Sequence, residues 1–173
     1  MNIKALALTA LTAATAIAAP ADAYTVNKHG VGIFEPKDAP GVYGQLIKKL
    51  ADKGVFVVAA DTYDGYCEQA KPGFKRFGWY DSNTNLIGIC SGLTGAEAQE
   101  TLAHEAVHAY QDYRAGLNNS QYIEHRNVVG LFQGLSPDLK QAVLAYDVED
   151  QRLEAEAWFF QSRPKAVLEA WTF

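Results

Sequence analysis

The chain has 173 residues, 49% of them hydrophobic, which suits one compact domain with its own core better than two. Its formal net charge is −5 and it holds no cluster of Lys or Arg, which argues against nucleic acid or an anionic membrane surface as the main partner. No internal repeat or low-complexity run is present.

The first 26 residues, MNIKALALTALTAATAIAAPADAYTV, carry a lone Lys4, an Ala/Leu-rich apolar run and the small-x-small triplet Ala21-Asp22-Ala23. That three-part pattern predicts a secretory signal peptide cleaved after Ala23. The run is short of the roughly 20 strongly apolar residues that a membrane span needs, so no stable membrane insertion is expected after cleavage. The mature chain, residues 24–173, would keep 14 basic and 19 acidic side chains, 14 − 19 = −5. Both cysteines, Cys67 and Cys90, fall in it, and in an exported protein such a pair is expected to close a disulfide. Metal ligation by the pair is disfavoured by the 22 residues between them and the lack of a third cysteine.

After an irregular start, residues 41–53 (GVYGQLIKKLADK) place Val42, Leu46, Ile47 and Leu50 at helical intervals before Gly54, a helix with a glycine stop. The β-branched run 55–60 (VFVVAA) reads as a buried strand, and Asp64-Gly65-Tyr66 as a turn. Residues 77–80 (FGWY) and 86–90 (LIGIC), separated by the turn-rich 81–85 (DSNTN), predict a hairpin. Thr94 and Glu97 form a capping box for a helix from Ala96 to about Ala115, with Gly116 as its end. A second helix is expected over 120–132, and a third from Ser136-Pro137 through Leu139, Val143, Tyr146, Leu153, Ala157 and Phe160 to Ser162. The fold class is therefore α+β: a small mixed α/β part with a hairpin, then a helical part.

Within the long helix, ETLAHEAVHAYQDYR sets His104 and His108 four residues apart, on one helical face, where two imidazoles can converge on one ion. Glu105 is rotated by about 100° from His104, beside the pair, which suits a base acting on metal-bound water. This is the H-E-x-x-H arrangement of zinc peptidases. The alternative is two surface histidines beside an acid, weakened because only four histidines exist and two take this spacing on a helical run. A catalytic zinc needs a third protein ligand and one open position. Candidates are His29, His125, Asp112, and Asp147, Glu149, Asp150, Glu154 and Glu156 in DVEDQRLEAEAWFF. Helical phase does not decide among the acidic group: Glu154 and Glu156 fall about equally far either side of the buried direction, and Asp150 nearer its centre.

ETLAHEAVHAYQD with the downstream Glu154-Ala155-Glu156-Ala157 resembles the gluzincins, zinc metallopeptidases in which a glutamate on a later helix joins the H-E-x-x-H histidines. Residues 77–114 are similar to a family of small mitochondrial metallopeptidases, and EAEAWFF to the ImmA/IrrE-type peptidases. The resemblance covers about the second half of the mature chain and implies a zincin-like fold with Zn²⁺ bound by His104, His108 and Glu154. The 45 residues between His108 and Glu154 exceed the spacing expected of either relative, so His125 stays the chief rival ligand. Glu105 would be the general base, with Tyr122, His125 and Arg126 as candidate oxyanion stabilisers. By the same resemblance, strand 86–90 would be the sheet edge along which a peptide or protein substrate lies antiparallel. Trp79, Tyr80, Tyr110, Trp158 and Phe159 are candidate cleft aromatics, although burial tendency favours core positions for them. The expected function is that of a secreted or periplasmic zinc metallopeptidase. Its competitors are a zinc hydrolase of another amide or ester, and a non-catalytic binding or inhibitory module with a structural metal.

Overall fold

The computed structural model describes residues 25–26, 32–39, 41–62, 67, 77–91, 93–118 and 128–171. The expected signal peptide, the turn at residues 64–66, His29, Tyr122, His125 and Arg126 lie outside these residues. The described chain is α+β, with a small mixed sheet and six α-helices.

The sheet contains β1 (Thr25–Val26), β2 (Gly32–Ile33), β3 (Phe56–Ala59), β4 (Gly78–Asp81) and β5 (Leu86–Ile89), in the order β1-β2-β3-β5-β4. β1 and β2 occupy the stretch read above as irregular; two-residue strands are too short for alternation to show. The run around β3 is apolar throughout because β3 is central, between β2 and β5, and Val57, Val58 and Ala59 are all buried. β4 and β5 form the expected hairpin, with Tyr80 opposite Ile87 and Gly78 opposite Ile89. Its loop is tied by Asp81, whose carboxylate accepts from Asn83 N at 2.9 Å and from Thr84 Oγ1 at 2.7 Å. These two bonds hold the Asp81 carboxyl below its usual range, the Thr84 hydroxyl contributing most. One expectation fails here: β5 is not a sheet edge, because β3 pairs with it in parallel on its other side. Among the described strands, the one at that end of the sheet is β4.

Helix α1 (Val42–Asp52) buries Leu46, Ile47 and Leu50 and stops at Gly54, whose φ of +81° is the left-handed conformation that glycine adopts without strain. Helix α2 (Gly95–Asn118) begins as the capping box requires, with Thr94 N donating to Glu97 Oε2 at 2.8 Å and Glu97 N donating to Thr94 Oγ1 at 3.3 Å. It continues through Gly116, since a single helical glycine costs only about 1 kcal/mol relative to alanine and the rest of the helix outweighs it.

The predicted third helix is instead two. After α3 (Val128–Gln133), α4 (Pro137–Leu144) starts at Ser136, whose side chain accepts from Leu139 N at 3.3 Å, and α5 covers Gln151–Phe160. Between them, Asp147, Val148, Glu149 and Asp150 put three carboxylates and a β-branched residue in succession, a poor helical sequence. Asp150 N and Gln151 N both donate to Asp147 O, making a turn, and Gln151 Nε2 donates to Tyr146 O. Leu144, Tyr146 and Val148 are exposed, so the apolar spacing across this stretch is not a buried stripe. The break lets α4 pack against α5 around Val143, Leu135 and Ala155. Beyond Pro164 the chain forms α6 (Pro164–Ala170), with proline at a tolerated first-turn position. Trp171 then closes the main core: it is 2% exposed, and its indole N–H donates to Ala106 O of α2 at 3.3 Å. No described helix is long and apolar enough to cross a membrane.

Cys67 and Cys90 are joined in the expected disulfide, 23 positions apart in sequence. Loop-closure entropy for a loop of that length predicts that the Cys67→Ala/Cys90→Ala double variant loses about 3 kcal/mol. Urea unfolding measures it, and an unchanged midpoint would contradict the expectation.

Candidate metal centre

His104 and His108 sit one turn apart on α2, and the helix brings His104 Nε2 and His108 Nε2 to 3.1 Å. Helix α5 packs on α2 and supplies the third group. Glu154 Oε2 lies 3.4 Å from His104 Nε2, and Glu154 Oε1 lies 3.5 Å from His108 Nε2. Among the described residues this is the group of His, Cys, Asp or Glu side chains that could hold a metal ion, its ligand atoms all within 4.8 Å of one another.

The donor set fits a divalent cation. Glu154 Oε2 is buried without a hydrogen-bond partner, an arrangement that is costly unless something else satisfies the oxygen. Two imidazole nitrogens converge beside it, and an N/N/O set suits zinc and other borderline transition ions. Electrostatics point the same way. Burial pushes the Glu154 carboxyl up, but the two imidazoles outweigh it and hold the group at about 2. Burial pulls His108 down, but Glu154, Glu105 and Gln111 outweigh it and hold the imidazole at about 9. A carboxylate and a cation are thus locked together where a metal's charge could replace the proton's.

Glu105 is 8% exposed on the same helix. Its burial raises the carboxyl above the ordinary range, the two histidines moderate that rise, and Glu154 adds to it. Glu105 also lies under the start of β4. A Cβ on Gly78 would stand 2.6 Å from Thr101 Cγ2, 2.6 Å from Gly88 O and 3.5 Å from Glu105 Cγ, so glycine is what lets the strand approach α2 here. Gly78→Ala is accordingly expected to destabilise the fold by about 1–3 kcal/mol through overpacking. A melting temperature equal to wild type would refute that.

Of the rival ligands, Asp147, Glu149 and Asp150 are exposed in the turn before α5, and Asp112, one turn beyond His108, accepts from Tyr80 Oη at 2.9 Å. With Lys53, Tyr80 and Tyr113, Asp112 lines a cleft of about 390 Å³ to which the three converging groups do not contribute. Glu156 is 3% exposed, but its carboxylate accepts from Gln111 Nε2 at 3.1 Å instead of joining the histidines. Helical phase, which left the acidic group undecided, set Asp150 nearest the buried direction only for one unbroken helix; the turn at 145–150 leaves that residue exposed.

Among the described aromatics, Trp158 meets the centre, its ring edge-on to His104 at 5.0 Å between centroids. Tyr110 packs on Trp171, Phe159 belongs to the cluster around Leu135 and Val143, and Trp79 lies across Gly88. Gln111 was not singled out from sequence, yet its Oε1 is 2.9 Å from His108 Nδ1. Its position three residues after His108, on the same helical face, was the available signal. Comparison with protein-family models, with curated proteins and with solved structures gives no match for this chain.

Proposed function

We propose that the chain is an exported zinc metallopeptidase of zincin-like fold, with His104, His108 and Glu154 as the metal ligands and Glu105 as the general base. The observation that carries this reading is a buried carboxyl, Glu105, beside three converging metal-ligand side chains. A structural metal would need the ligands only, and an ionisable carboxyl is costly to bury without a role.

A zinc ion held there would supply a Lewis acid, acidifying a water in its open position and polarising the scissile carbonyl. Glu105 would take the proton from that water and return it to the leaving amine, a role to which a carboxyl raised by burial is suited. β4, at the end of the described sheet, begins against Glu105 and would hold an extended peptide by main-chain pairing, with little demand on its sequence. Trp158, against His104, would limit water beside the ligand. The disulfide supports export, since such bonds persist in oxidising compartments. The test is metal content together with turnover of a general protein substrate by the purified mature chain. About one equivalent of zinc with turnover supports the proposal. Zinc without turnover of any peptide would shift it to another amide or ester, or to a non-catalytic module, and absence of bound metal would overturn it.

A further inference from the structure

Gln111 lies on α2 one turn beyond His108, is 4% exposed, and is engaged at both ends of its amide. Its Oε1 is 2.9 Å from His108 Nδ1. Its Nε2 donates to Leu153 O at 3.0 Å and to Glu156 Oε2 at 3.1 Å. A backbone carbonyl only accepts, so the reversed amide would set its oxygen against Leu153 O; the partner on α5 decides which way Gln111 points. With Oε1 facing the ring, His108 Nδ1 must carry the hydrogen. The lone pair of the neutral imidazole is then at Nε2, the atom that faces His104 and Glu154.

We infer that Gln111 is the positioning residue of the metal centre, setting His108 in its Nε2-ligand form and tying the helix of Glu154 to the helix of the histidines. The two groups it holds on α5, Leu153 O and Glu156, flank Glu154 in sequence, so the same amide that orients one ligand constrains the element carrying another. The inference rests on the metal reading proposed above. It also gives buried Glu156 a role other than ligation: it fixes the amide that fixes the ligand.

The test is zinc affinity, read by competition with a chromophoric chelator, on the full mature chain and three variants. Gln111→Met keeps the volume and removes both hydrogen-bonding ends, and it is expected to weaken zinc binding by about 10- to 100-fold. Gln111→Glu alone sets two carboxylates against each other and is expected to show a loss of the same order. The exchange Gln111→Glu with Glu156→Gln restores an acceptor toward His108 and a donor between positions 156 and 111, though not the donor to Leu153 O, and is expected to recover part of the affinity lost in Gln111→Glu. A packing role would show no such recovery. If Gln111→Met does not fold, Gln111→Glu against the exchange decides the matter. Affinity within about twofold of wild type for Gln111→Met, or an exchange that binds zinc no tighter than Gln111→Glu, overturns the inference alone. A wild-type chain that binds no zinc overturns the metal reading itself.

Discussion

Glu105→Gln is expected to lower turnover of a protein substrate by about 10²- to 10⁴-fold while zinc content stays at the wild-type level. The amide keeps the shape and burial of the side chain but cannot accept the water's proton. Glu105 is not among the converging ligand atoms, so metal binding should not depend on it. Removing a carboxyl that burial raises should also leave the fold intact or firmer, because the desolvation cost goes with it. Activity and bound metal measured on one preparation separate the outcomes. Full activity would remove Glu105 as the base, and metal lost with activity would make it a ligand or a support for one.

Glu154→Ala is expected to cost zinc affinity at least about 100-fold, because removing one of the three proposed ligands should exceed the loss from an outer partner. In the metal-free chain the same change strips His108 of the carboxylate that holds its imidazole at about 9. The measurement is again chelator competition, with Asp150→Ala and His125→Ala beside it. Asp150 stands exposed in the turn before α5, and its variant should bind zinc as wild type does. If Glu154→Ala kept full affinity, the third ligand would lie elsewhere, with His125→Ala identifying the chief rival.

Much of the local structure was legible in the sequence because local interactions set it. The capping box at Thr94 and Glu97, the glycine stop at Gly54 and the hairpin loop at 81–85 each depend on residues within five positions of one another. The departures share a different cause. β5 became an inner strand because β3, about 30 residues earlier, pairs with it, and no pattern within β5 encodes that partner. Helix 136–162 broke because the turn at Asp147 lets α4 fold back onto α5, a gain that apolar spacing along one helix cannot register. α6 and Trp171 were passed over at Pro164, although proline in a first turn starts a helix as readily as it ends one.

The amino-acid sequence by itself determined that His104 and His108 share one helical face with Glu105 beside them, since the 3.6-residue period sets their relative placement wherever that helix lies. It did not determine which acid completes the group. Asp150, Glu154 and Glu156 differ by only a few residues, and the choice depends on where the turn at 145–150 starts α5 and on how α5 meets α2. Packing decided it: Glu154 is delivered to the histidines, Glu156 to Gln111 and Asp150 to solvent. A ligand on a second helix is a non-local contact, and only the tertiary structure brings it within reach.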